Sequence, residues 1–253
     1  KNSTVKLNNN AVGGITTCAD NEVTVNFVGC KLIEMNENYY TAAKTDTTYY
    51  QQDSSADPLG GGAGLNIGQM EAGSSMNVTF RDCPVIRMNG SYVDAIMYAR
   101  DSANHKGGGE LRIINCDSVE MNNNGSWGVN GANYIYVNNS NWEANDNGNN
   151  PWSKVSLTAS NILGDNIEIV NNSYVETNRC GSNCGLWVGN DLTVNSSEIA
   201  ANGNGLNIKG YWSDNPPQND GIFHSNYAYA SGNGIFVAGK TTINNSKIET
   251  VEN

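Results

Sequence analysis

Two arginines and a short charged cluster are the residues of this chain best placed to do chemistry. Arg81 and Arg87 bracket the heptapeptide RDCPVIR, and Asp94, Arg100, Asp101 and His105 follow soon after. Eliminative cleavage of a polysaccharide needs a base of tuned pKa, commonly Arg or Lys. It often also needs calcium, held by several carboxylates, to acidify the proton that leaves. These six residues are the set from which such a site would be drawn, with calcium as the cofactor a lyase often uses; otherwise the sequence implies no cofactor. Each of the six also has an ordinary reading as a solvated polar residue beside a chain corner.

A second set of residues suits binding rather than turnover. Tyr39, Tyr40, Tyr49, Tyr50, Trp152, Tyr211 and Trp212 fall in polar stretches among Asn, Asp and Gln. An exposed ring with hydrogen-bonding groups at its edge matches a sugar, which offers an apolar face and a rim of hydroxyls. The alternative is that these rings pin their own loops down. Trp127, Trp142 and Trp187 lie in strand-like patterns and are expected to pack. The glycine runs at 60–64 and 107–109 are followed by no helix pattern, which excludes nucleotide cradles, and no Ser/His/Asp set or helical metal motif is present.

The elements that must position these residues are short and repeated. The stretch Leu192 to Gly210, LTVNSSEIAANGNGLNIKG, reads as a strand, a polar corner, a second strand and a glycine exit. It cannot bury its own apolar face, so it requires copies stacked upon it. Eight copies follow one grammar, each ending a strand on a small anchor: Cys30, Cys83, Cys116, Ser140, Asn172, Ser197, Ser225 and Ser246. Just past the anchors come inward candidates, Leu32, Val85, Val119, Trp142, Val175, Ile199, Tyr227 and Ile248. A glycine-led partner strand recurs as GLNI at 64–67, GLWV at 185–188, GLNI at 205–208 and GIFV at 234–237. Asn115, Asn139 and Asn172 beside the anchors suggest a stacked amide ladder, since Asn tolerates left-handed corners and can bond to its counterparts above and below.

The spacing is too short and strand-rich for helical repeats and lacks the leucine-rich consensus. The expected fold is all-β: a right-handed parallel β-helix of about eight or more coils with Asn/Gly corners, rungs lying about 4.8 Å apart. In these repeats the chain resembles the pectin-lyase-like β-helix proteins, including the loosely repetitive Asn-rich surface proteins of bacteria. The resemblance spans about residues 20 to 253 and is specific for fold, not function. RDCPVIR looks like the RxPxxR signature of pectate lyases with one extra residue before the proline. The polygalacturonase-type NTD, DD, GHG and RIK strings are absent, and no repeat position shows adjacent outward acids, so inverting hydrolysis is not expected.

The whole of 1–253 is expected to be a single β-helix domain. Residues 1–22 serve as a cap or imperfect first coil, and 36–64, 98–109, 145–154, 178–185 and 210–220 are loop insertions, where binding faces of repeat proteins gather. Only 15% of the 253 residues are charged, the net charge is −11, and mean hydropathy is −0.48. An acidic chain disfavours nucleic acid and anionic membrane surfaces, and no apolar run is long enough to insert in a membrane. The chain begins at a lysine, so a processed form or excised domain is expected. Cys30, Cys83 and Cys116 share one repeat position and form a buried ladder, with a Cys83–Cys116 bridge possible. Cys180 and Cys184 in RCGSNCG are expected to form a local disulfide, Cys18 could reach Cys30, and the spacings do not suit zinc. Cysteine usage favours an oxidising, extracellular compartment, secreted or displayed on a cell surface. The leading expectation is a non-catalytic adhesion or glycan-recognition module whose partner is a carbohydrate or a cell-surface protein. Its rivals are a polysaccharide lyase or other carbohydrate-active enzyme, and a structural spacer or self-assembling subunit.

Overall fold

In the computed structural model, the described residues are 2–10, 13–17, 23–38, 63–67, 76–91, 94–98, 100–101, 106–107, 109–125, 127–148, 160–181, 184–204 and 233–253. Among them the protein is all-β, and nearly every strand pairing is parallel. Eight three-residue strands, Thr4–Lys6, Leu32–Glu34, Val85–Arg87, Ser118–Glu120, Asn141–Glu143, Tyr174–Glu176, Glu198–Ala200 and Lys247–Glu249, stack as one sheet in chain order. A twelve-stranded sheet holds two further columns. One runs from Gly13–Thr17 to Ile235–Val237, the other from Val23–Val28 to Thr241–Asn244, and the long strands Val129–Asn138 and Ile162–Val170 pass through both. A two-residue antiparallel ribbon, Arg100–Asp101 with Lys106–Gly107, lies inside the expected 98–109 loop.

The period-2 alternation of each strand sends one side chain in and the next out. The inward set from all three columns forms one core: Ile33, Ile86 and Val119 from the eight-stranded sheet, with Leu65, Ile96, Val78, Phe80, Leu111 and Ile113 from the other. Trp142 is the largest side chain in it, and Phe27 stacks on Phe80 with centroids 5.1 Å apart. Each fully buried aliphatic side chain contributes about 1.5–3 kcal/mol by leaving water.

The register corrects several expectations by one residue. Ile33 and Ile86 are the inward residues, not Leu32 and Val85, because the cysteine corners carry one residue more before the next strand than the serine corners do. The anchor expected at Asn172 is Ser173, since Asn171 and Asn172 both adopt left-handed backbone and the corner is one residue longer. Ser197 donates its N–H directly to Ser246 Oγ at 3.2 Å, so no repeat anchored at Ser225 stacks between them; Ser225 and Tyr227 lie outside the described residues. Ser3 supplies the other anchor, its carbonyl accepting from Lys31 as the carbonyls of Ser140, Ser173 and Ser197 accept from the next repeat. Residues 4–6 and 13–17 therefore stack as a regular first level of the array. Likewise Leu32–Glu34 pairs directly with Val85–Arg87, so the 36–64 insertion adds no level between them.

Candidate functional site

The corner that follows each strand of the eight-stranded sheet sets the register of everything on its outer face. After five of the eight strands it is written Met35-Asn36-Glu37-Asn38, Met121-Asn122-Asn123-Asn124, Ala144-Asn145-Asp146-Asn147, Thr177-Asn178-Arg179-Cys180 and Ala201-Asn202-Gly203-Asn204. The third residue of each is left-handed, with φ of 54, 57, 59, 54 and 63°. The first Asn makes an unbroken ladder: Asn36, Asn89, Asn122, Asn145, Asn178, Asn202 and Val251 each donate a backbone N–H to the amide oxygen of Asn8, Asn36, Asn89, Asn122, Asn145, Asn178 and Asn202, at 2.7–2.9 Å. The second Asn is buried and bonds the other way. Asn124 donates to Asn147 Oδ1, Cys180 to Asn204 and Asn204 to Asn253, each at 2.9 Å. The ladder expected at the anchor corner is present in part: Asn115 donates to Asp82 at 3.0 Å and Asn139 to Asn115 at 3.1 Å, while at the next level it is Asn171, not Asn172, whose amide donates, to Asn138 at 3.1 Å.

Held by that corner, the outer face of the eight-stranded sheet carries one column of charge, in register from Lys6 through Glu34, Arg87, Glu120 and Glu143 to Glu176. Lys6 lies 2.9 Å from Glu34, and its hydrogen bond holds that carboxyl below the usual range. Arg87 bridges Glu34 at 3.8 Å and Glu120 at 3.4 Å. Glu176 accepts from the Tyr174 hydroxyl and the Asn145 amide, both at 2.8 Å, and desolvation together with that carboxylate pushes Tyr174 up to about 12. Glu143 stands between Glu120 and Glu176, and partial burial, then its two acidic neighbours, raise its pKa. These are adjacent outward acids, contrary to the expectation that no repeat position offers them.

On the outer face of the twelve-stranded sheet, Tyr134 and Tyr136 project side by side, rings 6.3 Å apart and within 17° of parallel. Arg112 on the neighbouring strand sits 5.6 Å from both ring centres. Glu110 holds that guanidinium at 2.7–2.8 Å. On the other side the Tyr134 hydroxyl donates to Glu168, and desolvation plus that carboxylate raise the phenol's pKa. Asn138 donates to the Tyr136 hydroxyl at 2.9 Å. The strand pairing makes this a site: Arg112 is opposite Tyr136, and Tyr136 is opposite Glu168. Half-buried rings with a cation, two carboxylates and an amide around them can grip the C–H face of a sugar and hydrogen-bond its hydroxyls.

The residues singled out in the sequence fall elsewhere. Arg81 is exposed at the end of Met76–Arg81, while Arg87 lies on the other sheet beyond the Asp82–Cys83 corner, engaged by two glutamates. Asp94 is fully buried; its carboxylate accepts from the Trp127 N–H at 2.9 Å and the Asn130 amide at 3.2 Å, which withdraws it from a surface cluster. Arg100 and Asp101 form the antiparallel ribbon, and His105 lies outside the described residues. So do Tyr39, Tyr40, Tyr49, Tyr50, Trp152, Tyr211 and Trp212. Trp142 packs in the core as expected, and Trp187 packs edge-on to Phe236 at 5.1 Å.

Cys30, Cys83 and Cys116 form the expected buried ladder as thiols, Cys83 and Cys116 donating to carbonyls of the strands before them. Cys180 and Cys184 are also buried thiols, and the expected bridge between them is not formed. The reason is positional: Cys180 takes the place of the buried corner Asn, whereas Cys184 starts the next column and lies 3.5 Å from Ser160. Among the described residues no group of three or more acidic, His or Cys side chains is arranged to hold a metal.

Comparison with protein-family models, with curated proteins and with solved structures finds no match.

Proposed function

We propose that the chain is a right-handed parallel β-helix of the pectin-lyase-like kind. Its function, we infer, is to recognise glycans outside the cell, as a non-catalytic adhesion module, through the Tyr134–Tyr136 platform. The observation that carries this reading is the pairing of two outward tyrosines with Arg112, Glu110, Glu168 and Asn138 on a rigid sheet face. Stiff rings on regular strands need little ordering on binding, which favours recognition of a weakly interacting ligand. The loop aromatics named from the sequence would extend such a surface. The test is retention by immobilised polysaccharides in affinity electrophoresis. Wild type is expected to be retarded by at least one polymer, and the Tyr134→Ala/Tyr136→Ala variant to lose most of that retardation at an unchanged unfolding midpoint. Undiminished retardation of the variant would move the site away from this face.

The charge column favours a second reading, a carbohydrate-active enzyme. In-register glutamates on neighbouring parallel strands stand about 4.8 Å apart at the backbone, near the 5–5.5 Å carboxyl separation of retaining glycosidases. Glu143, with its raised pKa, would protonate the leaving oxygen and Glu176 would attack the anomeric carbon. New reducing ends released by wild type but not by Glu143→Gln or Glu176→Gln would support this reading. An eliminative reaction through Arg81 and Arg87 would leave an unsaturated product instead, and Arg87 would first have to leave Glu34 and Glu120.

A further inference from the structure

Resting on the glycan-binding reading of the Tyr134–Tyr136 face, we infer that the platform takes an uncharged glycan and discriminates against polyuronates. The argument is one of charge at the site. A uronate carboxylate needs a cation free to pair with it, best an arginine offering a bidentate fork. The cation touching the tyrosines is Arg112, and its fork is already occupied: Glu110 lies 2.8 Å from Nε and 2.7 Å from the terminal nitrogen. Across the rings stands Glu168, bonded to the Tyr134 hydroxyl. Two carboxylates against one guanidinium leave the platform with a net negative charge, on a chain whose net charge is −11. Arg81 stands two strands over from the tyrosines, roughly 10 Å away at the strand spacing, on the far side of the Arg112 strand.

An acidic sugar docked on the rings would face Glu168 with no unengaged cation beside it among the described residues, a juxtaposition that works against binding. An uncharged pyranose meets no such repulsion. Its C–H face lies on the rings, while its hydroxyls donate to Glu110 or Glu168 and accept from Arg112 or the Asn138 amide. The Glu110–Arg112 pair therefore acts as the specificity element, and opening it should reverse the preference.

The experiment uses polygalacturonate, polymannuronate and polyglucuronate, each paired with the neutral polymer made from it by reducing the C6 carboxylate to the alcohol. Retention is measured for the whole chain as wild type, Glu110→Gln, Glu168→Gln and Tyr134→Ala/Tyr136→Ala. Both Gln variants are isosteric at outward positions and are checked for an unchanged unfolding midpoint. Wild type is expected to bind one or more neutral polymers at least tenfold more tightly than the matching polyuronate. Glu110→Gln frees Arg112 for one charge-assisted hydrogen bond and should shift the ratio of uronate to neutral binding about tenfold toward the uronate, the neutral polymer losing its hydroxyl contact with the carboxylate. Glu168→Gln should move uronate binding in the same direction by removing the repulsion. Equal or tighter wild-type binding of the polyuronate, lost in the tyrosine variant, would overturn the charge argument while the platform stood. Binding that survives the tyrosine variant, or no binding to any polymer, would overturn the platform reading and this inference with it.

Discussion

Glu143 is the residue whose chemistry the register alters most. It lies between Glu120 and Glu176, and its folded-state pKa is raised above the ordinary 4.5. A raised carboxyl contributes fully to stability below its unfolded value, and that contribution is lost as pH rises through the folded value. Glu143→Gln should therefore match wild type near pH 4 and become the more stable protein above the raised pKa. The gain should be a few tenths of a kcal/mol, because the group is largely solvated and screened, and it should shrink in high salt. Urea midpoints at pH 4 and pH 7 check it, and a variant less stable at pH 7 would remove the repulsion. The thiols make the opposite case. Burial pushes Cys116 up to about 11 and Cys184 up to about 12. Peptide mapping after iodoacetamide treatment at pH 8 should find both unmodified in the folded protein and alkylated in denaturant.

At the scale of the element, the Asn corner sets the register. Asn145 accepts the Asn178 N–H at 2.7 Å and donates to Glu176 at 2.8 Å. Asn145→Ala orphans that N–H and loosens Glu176, and should cost about 1–3 kcal/mol in denaturant unfolding. In the equivalent corner at 201–204 the left-handed residue is Gly203, with φ of 63°. Gly203→Val should cost about 1–2 kcal/mol, since a branched Cβ is crowded there, while Glu37→Gly at φ 54° should stabilise by relieving the same strain. This corner motif was present in the sequence as Asn-x-Asn after Met or Ala, with Asn-x-Cys after Thr177. It is less conspicuous than the Cys and Ser anchors, because Asn recurs throughout the chain and hides its own register.

Across the whole molecule each level of the stack leans only on its neighbours, so position along the array sets the weight of a side chain. Ile169, Val194 and Ile243 occupy one column on successive levels. Ile169 is 1% exposed, whereas Ile243 on the last described level is 48% exposed. Ile169→Ala should cost about 2–5 kcal/mol, in the range of buried large-to-small changes, and Ile243→Ala less than about 1 kcal/mol for an exposed site. Similar losses at both positions in parallel urea titrations would mean that Ile243 is covered by another surface in solution.

Local pattern was enough to read the strands as strands. Alternation marked Val78, Phe80, Leu111 and Ile113 as inward, small anchors marked one corner, and mutual dependence of the repeats required stacking. These features are short-range, so their signal lies in adjacent letters. The pairing of strands across intervals of 23 to 53 residues was decided only by the tertiary structure, because loops of unequal length separate residues that end up side by side. Glu120, Glu143 and Glu176 share no fixed spacing, yet parallel register makes them neighbours. Arg112, Tyr136 and Glu168 meet for the same reason. One added residue at Asn171–Asn172 moved an anchor, and one at the cysteine corners reversed which of Leu32 and Ile33 faces inward. In a period-2 element a slip of one residue exchanges core for surface, and nothing short of the paired neighbour determines it.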